Sequence, residues 1–206
     1  TGKELVARAI HTNSSRANKP FITVNSGTLA QASFEATLFG HAQDALPGAI
    51  SAKKGLCDMA DTGTIFFDEI AKVPLDIQAK LMRVMEEREF LRFGGMDAIK
   101  TDVRVIAATN CDLLQLVKDG HFREDLYYRL QVINIFLPPL YERKEDIPLL
   151  SHYFLTKYGD ENNRQNLELS SEALDVLMSY HWPGNVRELE NVIAVSYTHL
   201  TLPTNR

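Results

Sequence analysis

Short apolar runs alternate along this chain with longer stretches of helical spacing, and that alternation narrows the fold more than any other feature. Pro20-Phe21-Ile22-Thr23-Val24-Asn25, Thr64 to Asp68, Val103 to Asn110 and Val132 to Leu137 read as strands, the last stopped by Pro138-Pro139. Between them, Glu4 to Thr12 sets Leu5, Val6, Ala9 and Ile10 on one side of a helix. A longer helix opened by Pro74 keeps Ile77, Leu81, Val84 and Met85 at i, i+4, i+7 and i+8. Strands separated by helices imply a parallel sheet flanked by helices, an α/β fold.

Past residue 140 the pattern turns helical. Ser170 is placed as an N-cap with Leu169 and Leu174 as its staple, and Asn185 as the N-cap of a final helix with Glu188 at its third position. We expect an α/β domain over residues 1–140 and a small helical lid over 141–194. Val186, Leu189, Val192 and Ile193 promise a longer amphipathic helix, but residues 195–206 are rich in β-branched residues and broken by Pro203. That stretch reads as a non-native tail.

A chain of 206 residues, 45% hydrophobic and 24% charged, can bury a sizeable core. Its net charge of −5 gives no electrostatic footprint for nucleic acid, so any DNA contact is indirect or lies outside this chain. No apolar run approaches the roughly 20 residues that span a bilayer. Cys57 and Cys111 lack metal-ligand spacing, which fits a reduced cytoplasmic setting, and none of the six histidines forms a ligand pair.

Two signals speak to chemistry. Gly2-Lys3 opens an amphipathic stretch, as the end of a P-loop does, where backbone N–H groups and the helix N-terminus cradle phosphates and the lysine reaches the outer ones. The glycine-rich part of such a loop would precede Thr1, so the chain is read as starting inside it, and by itself it is expected to bind ATP weakly. The Thr64–Phe67 run delivers Asp68-Glu69 at its carboxyl end, where such folds keep a Mg²⁺ carboxylate and a water-activating acid. Thr109-Asn110 closes a third strand at the same edge, where open α/β sheets bind ligands. Alone, each also fits a blander reading: a loop-to-helix junction, solvated acids, a turn. Arg123 and Arg129, six apart, would not share one helix face closely.

Joined, the stretches TGKELVARAIH, LFGH, FFDEI, QAKLMRV, DVRVIAATN, FREDLYYRL, LPPL and WPGNVRELENVI closely resemble the AAA+ ATPase domain of bacterial enhancer-binding proteins, the activators of sigma-54 RNA polymerase. The likeness runs from Thr1 to about Ile193. It implies a three-layer α/β/α parallel sheet, lacking the strand before the P-loop, followed by a helical lid, with ATP and Mg²⁺ as ligands. By this resemblance Lys3, with Gly2 and Glu4 beside it, binds the nucleotide, Asp68 organises Mg²⁺, and Glu69 polarises the attacking water. Asn25 restrains that glutamate, Asn110 senses the nucleotide at the sheet edge, and Arg187 senses it from the lid. Arg123 and Arg129 resemble arginine fingers offered to the next subunit of a hexameric ring. The implied output is promoter opening by sigma-54 holoenzyme, with DNA read only through a C-terminal helix-turn-helix domain outside this chain.

One departure matters. Where the family's surface loop reads GAFTGA, this chain has Asp44-Ala45-Leu46-Pro47-Gly48-Ala49. The glycine is aspartate, the aromatic is leucine, and the hydroxyl has given way to a proline that fixes φ. The alternative is therefore a divergent regulator in which nucleotide controls oligomerisation without engaging sigma-54. An unfoldase or helicase of the same superfamily is disfavoured by the WPGNVRELENV segment.

Overall fold

The computed structural model describes residues 2–43, 45, 51–162 and 168–199. Two compact units emerge, Lys3–Asn134 and the chain from Ile135 onward. The first contains α1 (Lys3–Thr12), β1 (Phe21–Asn25), α2 (Gln31–Phe39), α3 (Leu56–Met59), β2 (Thr64–Asp68), α4 (Leu75–Glu86), β3 (Glu89–Leu91), β4 (Ala98–Lys100), β5 (Arg104–Ala107), α5 (Leu113–Lys118) and α6 (Glu124–Leu130). The second contains α7 (Asp146–Glu161), α8 (Ser171–Ser179) and α9 (Asn185–His199).

In the first unit β1, β2 and β5 form a parallel sheet in the order β1-β2-β5, so the expected α/β class is observed. β2 is central and buried along Thr64–Phe67, which explains its unbroken apolar run: a strand covered on both faces has no solvent side to alternate toward. Val24, Ile65 and Phe67 of the sheet pack with Phe34, Leu38 and Phe39 of α2, Ile77 and Leu81 of α4 and Leu126 of α6. α1 buries Ala7 and His11, and His11 Nδ1 lies 2.9 Å from Thr64 Oγ1 across the start of β2. β3 and β4 make a separate antiparallel pair.

The segment carrying the divergent loop leaves the fold at a pinched base. His41 and Lys53 exchange backbone hydrogen bonds of 3.0 and 3.1 Å, and Ala42 N–H donates to Phe93 O at 3.0 Å. Of the loop itself only Ala45 is described; Asp44, Leu46, Pro47, Gly48 and Ala49 lie outside the described residues.

The fourth expected strand is not there. Val132–Leu137 forms no strand, and Val132, Ile133 and Phe136 are 79%, 79% and 77% exposed. An apolar run states what a strand could bury, but a strand exists only by pairing, and no described strand runs beside this one. The boundary between the two units falls inside it.

The helical unit is built around Leu140, Ile147, Phe154, Trp182, Leu189 and Ile193, all buried. Trp182 satisfies its indole by donating to Leu177 O at 2.7 Å. Ser170 caps α8, accepting from Ala173 N–H at 3.2 Å. Asn185 does not cap α9 as expected. Its φ is +54° and its side chain accepts from Leu140 N–H at 2.8 Å, while Glu188 accepts from Gly184 N–H at 2.8 Å. The carboxylate at 188 takes over the first turn and frees the amide for a tertiary contact. α9 continues to His199, beyond the point at which the sequence pattern breaks.

Candidate functional site

The parallel register fixes what meets at the carboxyl edge of the sheet. Asn25 and Asp68 are register partners at the ends of β1 and β2. Ser26 N–H donates to Asp68 O at 3.0 Å, Ala108 N–H to Phe67 O at 2.8 Å and Ile70 N–H to Ala108 O at 2.9 Å. The three strand ends are thereby stitched into one row, with Thr109 and the exposed Asn110 following β5. Ser26 Oγ is buried in this row and has no hydrogen-bond partner.

Glu69 leaves the row in an unusual way. Its φ of +58° and ψ of +51° place it in the left-handed region, which costs a non-glycine residue of order 1–3 kcal/mol. A 3-10 turn, Ile70–Lys72, follows, and Lys72 Nζ closes on Glu69 Oε2 at 2.6 Å. Lys72 holds the Glu69 carboxyl below its ordinary range chiefly by this hydrogen bond, and the charge of Lys3 adds to the lowering. Lys72 is pushed upward in turn, by Glu69 first and by Cys111 in small part. Gly27 makes the space: a Cβ there would lie 3.2 Å from Lys72 Nζ and 3.4 Å from Asn25 Oδ1 and would strike Glu69 Oε2. Asn25 Oδ1 already accepts from Gly27 N–H at 3.1 Å.

Lys3 is the first residue of α1, and Gly2 before it has φ +91°. Glu4 pairs with Arg8 at 2.8 Å. The structure thus gathers Asn25, Asp68 and Glu69, with Asn110 on the same edge.

Arg123 precedes α6, where the buried Gln78 fixes its backbone: Arg123 N–H donates to Gln78 Oε1 at 2.8 Å while Gln78 Nε2 donates to Val73 O at 2.8 Å. Its guanidinium forks onto Asp125 at 3.1 and 2.7 Å, raising its own pKa and lowering that of Asp125. Arg129 donates to Met85 O at 3.2 Å. Arg187 is exposed on α9 of the helical unit, near enough to Glu190 for its charge to help lower that carboxyl. Cys57 is buried and free, its thiol pushed up by burial, and Cys111 is exposed and free. Among the described residues no helix is long and apolar enough to cross a membrane.

Lys72, Gly27 and Gln78 escaped the residue reading. Lys72 carried a usable signal, a cation three residues after an acid. Gly27 carried another, a glycine two residues past a polar strand end.

A parallel sheet whose carboxyl edge carries an Asp-Glu pair, in a chain that also bears a helix-opening lysine and a helical unit, defines an AAA+ ATPase-type protein. The family model described as "Sigma-54 interaction domain" matches residues 1–136, and that of "AAA+ ATPase lid domain" matches residues 141–201. The chain belongs to the sigma-54 interaction domain family. It is 53% identical over 193 residues to regulatory protein AtoC of Escherichia coli (strain K12), covering 94% of this chain and 42% of AtoC. It is 51% identical to the sigma54-dependent transcriptional activator SfnR of Pseudomonas putida, covering 94% of this chain and 53% of SfnR. Among solved structures, NtrX from Brucella abortus in complex with ATP superposes with a TM-score of 0.89 at 38% identity, over 99% of this chain and 44% of NtrX. The chain thus spans about half or less of the length of these relatives.

Proposed function

We propose that this chain is the ATP-hydrolysing part of a sigma-54-dependent transcription activator. The observation that carries the reading is the register row that sets Asn25 beside Asp68, with Glu69 next in the chain, at one sheet edge. In this reading residues 1–140 hydrolyse the nucleotide, 141–194 act as the lid, and residues 195–206 serve neither.

Triphosphate is the substrate. Gly2 and Lys3 would bind its outer phosphates through backbone N–H groups and the ammonium. Mg²⁺ on a nucleotide takes one or two carboxylates and fills its octahedron with phosphate and water, a demand the Asp68 side chain meets at the strand end; when bound it neutralises charge on the phosphates. No described residue occupies the Asp68 carboxylate with a hydrogen bond, and the buried, unpaired Ser26 Oγ beside it fits a polar site. Glu69 accepts the proton of the attacking water. Asn25, across the Gly27 gap, is the restraint on Glu69, and Asn110 reads the γ-phosphate from β5's end. Arg123, forked onto Asp125, and Arg129 would serve the neighbouring subunit of a hexameric ring, and Arg187 the nucleotide from the lid. Fixed positive charge there stabilises the charge that spreads over the transferring phosphoryl group.

The output is ATP-driven remodelling of sigma-54 RNA polymerase holoenzyme in the cytoplasm, with DNA bound through a helix-turn-helix domain beyond this chain. Asp44, Leu46 and Pro47 favour a second reading, in which nucleotide sets oligomeric state alone. Promoter opening by sigma-54 holoenzyme, followed by permanganate footprinting with the whole protein, decides between them. ATP-dependent opening is expected; ATP hydrolysis without opening would leave the second reading standing.

A further inference from the structure

We propose that Lys72 is a positioning residue for the hydrolytic carboxylate, a latch that draws Glu69 onto its own turn and keeps idle turnover low. This rests on the ATPase reading above. The latch is a fixed object rather than a loose surface pair. Lys72 stands three residues from Glu69 across the Ile70–Lys72 turn, closed by Lys72 N–H to Glu69 O at 2.9 Å and Val73 N–H to Ile70 O at 3.1 Å. The turn is anchored to the sheet by Ile70 N–H donating to Ala108 O. The ammonium therefore reaches Glu69 from a defined direction.

The acid has a single donor among these neighbours. The space above Gly27 brings together Glu69 Oε2, Lys72 Nζ and Asn25 Oδ1, and Oδ1 is itself an acceptor, taken by Gly27 N–H at 3.1 Å. Glu69 is held by Lys72 or turned toward the nucleotide, and the ammonium at 2.6 Å on Oε2 fixes which way the carboxylate faces and makes it a poorer acceptor for the proton of water. The Lys72 side chain is 58% exposed, which keeps the latch weak enough to release: an exposed pair supports a shift of about two- to fivefold.

The test uses the whole protein with Lys72→Met, Lys72→Arg and Glu69→Gln. Steady-state ATPase should show the turnover number of Lys72→Met about two- to fivefold above wild type with KM for ATP unchanged. Lys72→Arg, which keeps the cation, should bring the rate back down. A Lys72→Met turnover equal to or below wild type, or a change confined to KM, overturns the latch. In parallel, trace acetylation with acetic anhydride, read by mass spectrometry against Lys19, should label Lys72 faster in Glu69→Gln than in wild type. Equal labelling refutes the pairing whether or not the protein hydrolyses ATP. A wild type with no Lys3-dependent turnover refutes the ATPase reading instead, so the two failures are told apart.

Discussion

Replacing Gly27 by alanine should separate catalysis from stability at this site. The new Cβ meets the far end of one flexible side chain, Glu69 Oε2, and otherwise only tight contacts of 3.2 Å to Lys72 Nζ and 3.4 Å to Asn25 Oδ1. No backbone atom is in its way, so relief comes from the carboxylate swinging aside. To regain ordinary van der Waals separation it must withdraw by about 1 Å, enough to break its 2.6 Å contact with Lys72. The fold should hardly notice. Alanine for glycine narrows the unfolded ensemble and stabilises by about 0.4–1 kcal/mol where the backbone permits it, which offsets most of the cost of disturbing an exposed ion pair. Expected, then, are a turnover number raised about two- to fivefold, as for Lys72→Met, a KM for ATP within about threefold, and a melting temperature within about 4 °C of wild type. Coupled-enzyme ATPase assays and scanning calorimetry on the whole protein would measure all three. Turnover at or below wild type in Gly27→Ala would show that displacing the carboxylate does not free it. A collapse of the melting temperature would show that something stiffer than a side-chain tip occupies it.

Three further outcomes follow from the packing and the charges. Phe67→Ala on the central strand, where the ring is fully buried, should cost about 3–5 kcal/mol and lower the urea midpoint of the α/β unit by well over 1 M. Ser170→Ala should remove the cap on α8 and cost about 1 kcal/mol in the helical unit, measured by urea unfolding followed at Trp182. Glu190 is held below its ordinary value of 4.5, first by its hydrogen bond from Lys157 and also by one from Tyr158. A depressed folded pKa means that the unfolded chain takes up the proton more readily, so this contribution is present above pH 4.5 and fades as pH falls through the folded value. Acid titration of the Trp182 signal should therefore fall less steeply below pH 4.5 in Glu190→Gln than in wild type.

Much of this was legible in the residues because the relevant physics is local. The run Ile65-Phe66-Phe67 could be read as a buried central strand since both faces of β2 are covered, and the Ser170 cap since it needs only a side-chain oxygen three residues before an N–H. Val132–Leu137 misled for the complementary reason: its pattern is that of a strand, but pairing is a property of two segments, and pattern within one cannot supply the second. Asn185 misled because two side chains, its own and Glu188, compete for one helix start, and the tertiary offer from Leu140 decides the contest. Lys72 stands at a legible spacing, three residues after Glu69, but the turn that closes the pair starts from a left-handed backbone at Glu69, which the residues do not announce.

That left-handed residue is the point at which sheet topology becomes site chemistry. Had Glu69 continued as strand, its side chain would alternate to the face opposite Asp68 and the two acids would part. Instead Ile70 must return to donate to Ala108 O beyond the end of β5, so the chain reverses within one residue, and the reversal throws the Glu69 carboxylate across to Gly27 at the end of β1. Asp68 stays in the register row with Asn25. A single peptide step thus delivers two carboxylates to two stations, one on the strand end and one over the neighbouring strand's glycine. The strain at Glu69 is what keeps both at this edge, and it is maintained because the hydrogen bonds of Ser26, Ala108 and Ile70 over-determine the backbone on either side.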